Sequence, residues 1–212
     1  MNTPPAPRKY KGLIIAAVII VALIVVIGWF VSTRNGFVDR DEALGAQWAQ
    51  VENQYQRRLD LIPNLVNTVK GYAEHESSTL ESVTRARAGL TDAYNQANAL
   101  RDAAQPADEA AMNQYQAAQD GLKSALDIYV NAVREAYPDL KANTNFLDLQ
   151  TQLEGTENRI ATERGRYVDA VRDYNVAVRR FPASIVASIS GFDVKPQFKA
   201  DAAAQKAPQV TF

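Results

Sequence analysis

The chain carries 22 consecutive residues without a charge, Gly12 to Thr33, and this run constrains the fold more than any other feature. At 1.5 Å rise per residue a helix of that length spans about 33 Å, matching the roughly 30 Å hydrocarbon core of a bilayer. A secretion signal has a shorter apolar region, about 7–15 residues, ending at a small-x-small cleavage site. Here Trp29-Phe30-Val31-Ser32-Thr33-Arg34 follows instead, and Trp29 and Phe30 read as an aromatic anchor at the membrane interface. The run predicts a retained transmembrane helix over 12–33.

Basic residues near a span set its orientation. Arg8, Lys9 and Lys11 precede it, whereas Arg34 and Arg40 follow amid Asp39, Asp41 and Glu42. This bias predicts a single pass with the N-terminus cytoplasmic and the body in the periplasm or outside the cell. Removing the three leading bases from the 23 leaves 20 Lys and Arg against 24 Asp and Glu beyond the span. A net charge of about −4 excludes backbone-driven nucleic-acid binding, which needs clustered cations. With no cysteine, thiolate catalysis, disulfides and a lipidated cysteine are also excluded.

Beyond Gly36 the apolar residues step by three and four. Leu44, Trp48, Val51, Tyr55, Leu59, Ile62, Val66, Val69 and Tyr72 line one face, which Leu80 and Val83 extend, a helical period. Pro63 either kinks this helix or marks a break, with Asp60 capping a new one. Asn95 to Ala111, with Pro106, loses the pattern and reads as a connection. A second stripe runs Met112, Tyr115, Leu122, Leu126, Tyr129 and Val133, stopping near Tyr137-Pro138. A third starts after Asn143, a cap candidate, and runs Phe146, Leu149, Leu153, Thr156, Ile160, Glu163, Tyr167, Val171, Tyr174, Val178 and Phe181 until Pro182. Ala183 to Ser190 is predicted to form one or two turns before Gly191, and the tail beyond Asp193 to be extended and strapped over the bundle. No strand alternation of useful length occurs. The predicted fold is all-α: a transmembrane helix, then an elongated antiparallel bundle of three to four long helices.

Three blocks carry a resemblance. The first is Gln56-Arg57-Arg58-Leu59-Asp60-Leu61-Ile62-Pro63-Asn64-Leu65-Val66, continuing through Thr68-Val69-Lys70-Gly71-Tyr72-Ala73 to His75-Glu76. The second is Ala136-Tyr137-Pro138-Asp139-Leu140-Lys141-Ala142-Asn143, with Phe146, Leu149 and Leu153-Glu154-Gly155-Thr156-Glu157-Asn158-Arg159-Ile160. The third runs from Tyr174-Asn175 to Arg180-Phe181-Pro182, then Gly191-Phe192, Phe198 and Ala207-Pro208. Together they resemble the LemA family. Asn95 to Ala118 matches little, and Val168 stands where the family often has Asn after Tyr. The resemblance implies a membrane-anchored helical bundle with no known catalytic residue to carry over. The domain reading is a basic tail over 1–11, the span over 12–33, a LemA-like bundle over 34–192 and a tail over 193–212.

Candidate chemistry is sparse. His75, the single histidine, has Glu74 and Glu76 at helix positions that point away from it, and no HExxH spacing exists. Asp39/Asp41 and Glu154/Glu157 read as solvated helix faces. No nucleophile motif, phosphate loop or dinucleotide fingerprint is present. Arg57, Arg58, Asp60, Asn64, Glu157, Asn158 and Arg159 lie on or beside the stripes, and inward-facing members should form an ion-pair and amide network between the first and last long helices. Gly71, Gly155 and Gly165 predict close helix approach or hinges, close packing being favoured, and Trp48, Tyr94 and the Tyr129 region an exposed edge for self-association. No catalytic, cofactor-binding or metal residue is assigned, and no cofactor, nucleic acid or small-molecule substrate is expected. The expected role is a non-enzymatic scaffold, adaptor or self-assembly function with a protein partner or a second copy. The alternative is membrane shaping or lipid contact.

Overall fold

The structure, a computed structural model, describes residues 9–73, 81–103 and 108–198. Helix α1 runs Lys9–Ala73, α2 Glu81–Leu100, α3 Glu109–Ala136, α4 Thr144–Arg179 and α5 Ala183–Ser190. Short 3₁₀ turns occupy Arg101–Ala103 and Pro138–Ala142, and there is no strand among the described residues. His75 with Glu74 and Glu76, Leu80, Pro106 and the tail beyond Phe198 lie outside the described residues.

The chain forms two compact units. The first takes in residues up to Glu42 and Tyr174–Val194; the second takes in Ala43–Asp173 and the residues from Lys195 onward. In the first unit, the apolar part of α1 meets no cover from the chain: Leu13 is 70% exposed and Val31 still 49%. Burial begins past the uncharged run at Phe37, 2% exposed, whose ring lies 5.4 Å from that of Phe192. α5 buries Val186 and Ala187. It ends at Gly191, whose φ of 74° is a left-handed conformation that favours glycine, and Phe192 donates its N–H back to the Ala187 carbonyl at 3.0 Å.

In the second unit, α1 buries Leu44, Trp48, Val51, Tyr55, Leu59, Ile62 and Val69, the face its periodicity predicts. Leu61 and Leu65 are buried as well. Helices pack on α1 from more than one side, so its apolar arc is wider than a single stripe. α1 runs through Pro63 as one helix, so there is no separate helix capped by Asp60. Asp60 instead accepts from Gln56 at 2.7 Å, and its carbonyl takes an amide hydrogen bond from Asn64 at 3.4 Å.

Two boundaries differ from the sequence reading. Val83 belongs to α2, a separate helix, and the supposed connection after Asn95 is helical to Leu100, with Ala97 fully buried. Alanine offers no contrast to a hydrophobic stripe, yet its small side chain admits close helix packing. α2 packs on α3 through the cluster of Val83, Leu90 and Ala97 with Ala118, Leu122, Leu126 and Tyr129. Asp108 starts α3, its carboxylate accepting from Ala110 N at 2.9 Å and Ala111 N at 3.0 Å. Asn143 Oδ1 accepts from Phe146 N at 3.2 Å at the start of α4, as predicted for a cap.

Candidate functional site

The centre of the second unit holds a charge where apolar packing would be expected. Arg58 on α1 is 2% exposed. Leu59 beside it anchors the stripe, and Tyr55, one turn back, lies against the guanidinium, 5.5 Å from Cζ to ring centroid. One nitrogen donates to Glu157 Oε1 on α4 at 2.8 Å, and the other donates to the Gln119 carbonyl at 2.9 Å and its side-chain Oε1 at 2.5 Å on α3. A single side chain thus ties α1 to two further helices. A charge so deep is tolerable only when paired and hydrogen-bonded.

Around it stands an aromatic layer. Tyr115 meets Tyr55 edge-on at 5.5 Å and Trp48 at 6.4 Å; Trp48 packs on Tyr167 at 5.4 Å, and Phe198 closes on both at 5.9 and 5.2 Å. Arg164 lies over the Phe198 ring at 4.7 Å and pairs with Asp120 at 3.1 Å. Burial pushes the phenols of Tyr55 and Tyr115 up to about 12 and raises that of Tyr167 further. Burial also raises the half-buried Glu52 carboxyl, against the lowering effects of Trp48 and Arg101.

A groove of about 400 Å³ opens beside this core, walled by Tyr55, Arg58, Asp120, Lys123, Glu157 and Arg164. Its charges are spent on one another and on Asp127: Arg58 with Glu157, Arg164 with Asp120, Lys123 with Asp127 at 2.8 Å. Among the described residues no three His, Cys, Asp or Glu side chains stand where they could hold a metal ion. The arrangement fixes helix register and presents no convergent acid, base and nucleophile.

Of the polar residues singled out in the sequence, Arg58 and Glu157 meet, whereas Arg57, Asp60, Asn64, Asn158 and Arg159 face solvent. Gln119 was missed, though its signal was there: it fills the stripe position midway between Tyr115 and Leu122. Two other readings are corrected. Trp48 at 4% and Tyr129 at 1% exposure are core residues, not an edge for association. A Cβ added at Gly71, Gly155 or Gly165 would meet nothing within 4 Å, so these glycines do not mark close helix contacts.

The model of the LemA family matches residues 47–212, which includes Arg58, Gln119, Glu157 and the aromatic layer. The chain belongs to the LemA family. It is 27% identical over 186 residues to the magnetosome protein MamQ of Magnetospirillum gryphiswaldense, covering 83% of this chain and 68% of that one. To MamQ 1 and MamQ 2 of Paramagnetospirillum magneticum it is 28% identical over 199 residues, covering 88% of this chain and 73% of each. This LemA chain is a membrane-associated helical protein, with one helix among the described residues long and apolar enough to cross a bilayer.

Proposed function

We propose that this LemA protein is a non-catalytic, single-span scaffold, adaptor or self-assembly protein of the bacterial cell envelope. The observation that carries the reading is the use made of charge in the second unit. Arg58, Glu157, Arg164 and Asp120 serve helix-to-helix pairing, and the groove they line is left with no group poised for chemistry. An anchored bundle built this way acts through its surface. Ile128 on α3 and Leu147 on α4, 61% and 44% exposed, supply apolar footing for a protein partner or a second copy.

A photo-reactive residue placed at Ile128 or Leu147 in the full chain, activated in native membranes, is expected to give a discrete adduct with one envelope protein or with itself. Products confined to the monomer mass, with a monodisperse monomer in detergent, overturn the reading. The bases before the span favour an N-terminus in the cytoplasm. A reporter active only outside the cytoplasm is therefore expected to work when fused after Phe212, and a reporter active only inside would reverse the orientation.

A further inference from the structure

The first unit leaves an apolar face that the described residues do not cover. Phe181, Ile185 and Ile189 are spaced by four and are 78%, 51% and 69% exposed, while the other side of α5 buries Val186 and Ala187. From Phe181 to Phe192 there is no charged residue; Arg179 and Arg180, both exposed, precede this stretch. Ile185 and Ile189 on one side of a short helix, with exposed Phe181 in the turn before it and cations ahead of that turn, have the composition of an element that lies in a membrane interface.

The height of this element above the apolar run is fixed at both ends. Phe37, four residues past Thr33, is about 6 Å along α1 beyond the run, and Phe192 packs against it. At the other end, Tyr174 on α4 is close enough to Asp41 and Asp193 for their charges to act on its phenol. Asp41 is about 12 Å beyond Thr33, and α4, which runs opposite to α1 since Phe37 meets Phe192 while Asp41 is near Tyr174, carries the chain from Tyr174 to its last residue, Arg179, about 8 Å back toward the run. Arg179 and Phe192 therefore both stand within about 6 Å of the end of the uncharged run, and Phe181 and α5 are the chain between these two points. The headgroup layer is about 5–8 Å thick on each side of the hydrocarbon core. With 12–33 across the bilayer, the whole stretch falls inside that layer.

We infer that α5 and Phe181 form a second membrane contact, with Phe181, Ile185 and Ile189 seated at the boundary of headgroups and acyl chains and Arg179 and Arg180 facing anionic lipid headgroups. This contact rests on reading 12–33 as a span. It goes beyond an adaptor role, because it gives the body a grip on the lipid surface in addition to the single span. The occupant is lipid because the span itself sets the address: what meets this face does so at headgroup depth.

The native chain has no cysteine, so single-cysteine variants of the full chain report one site each. Ile185→Cys, Ile189→Cys, Ile20→Cys and Ser124→Cys, the last exposed on α3, would carry a fluorophore in phosphatidylcholine–phosphatidylglycerol vesicles doped with nitroxide lipids. Helix content equal to that of the native chain by circular dichroism checks folding. The expected result is quenching of labels 185 and 189 by a nitroxide near the headgroup, several-fold above label 124, with label 20 quenched by a nitroxide deep in the acyl chain. Quenching at 20 with 185 and 189 no different from 124 overturns the contact and leaves the span standing. No quenching at 20 removes the span and the contact together. A disulfide between two Ile189→Cys copies without quenching assigns the face to a second copy and likewise overturns the contact.

Discussion

Arg58 and Glu157 are an unequal pair, and the inequality sets what each substitution does. Arg58 is 2% exposed while the Glu157 side chain is 24% exposed. Glu157→Ala strands a guanidinium in the core without its anion, for which a loss of about 3–5 kcal/mol is expected. Arg58→Leu leaves a carboxylate that water can reach, so its cost should be clearly smaller. Chemical unfolding of the full chain in detergent, run as a double-mutant cycle, checks this order, and equal losses would contradict it. The buried phenols act in the alkaline range. Burial lifts Tyr55 and Tyr115 from 10 to about 12, so the folded chain holds these protons more tightly than the unfolded chain does. Their contribution is complete below about pH 10 and falls away as pH rises through about 10 to 12. Absorbance titration should show Tyr55 and Tyr115 ionising only above about pH 10, with helix loss accompanying that step.

At the scale of elements, the glycines that the sequence reading assigned to close packing give a test with the opposite sign. Gly155 and Gly165 lie within α4 and a Cβ there meets open space, so Gly155→Ala and Gly165→Ala should each stabilise the fold by about 0.5–1 kcal/mol through backbone entropy. Thermal melts by circular dichroism decide it, and a drop would mean that the space is needed. The difference shows what periodicity can carry. Large apolar residues at three-four spacing placed the buried faces of α1, α3 and α4, because burial demands that spacing. The α2 helix went unseen as a separate element: its buried residues Val83, Leu90 and Ala97 are one every seven, and alanine is silent in a hydrophobic pattern. Two of the three residues of the central network were legible, since Arg58 and Glu157 flank the stripes. Gln119 stood in plain view on the stripe between Tyr115 and Leu122, but a polar residue there is recognised as part of a network only when the partner that neutralises its cost is known.

For the molecule as a whole, residues 1–33 separate attachment from folding. The second unit draws its core from Leu59, Leu65, Leu122, Val133 and Phe146, none of which belongs to the apolar run. A chain lacking 1–33 is therefore expected to keep the helicity of its remaining residues and, held at most by the reversible α5 contact, to come off membranes in a carbonate wash, whereas the full chain stays with them. A full chain released by that wash would remove the span. Gln119 offers Arg58 both its backbone and its side-chain oxygen, and Glu157 takes the opposite prong. All three helices are thus pinned at one height by one rigid fork. Thermal opening should begin far from that point and reach it last. Amide protons around residues 55–62, 117–123 and 155–161 should exchange with deuterium slowest of all, and those toward the ends of α2 and α3 progressively faster.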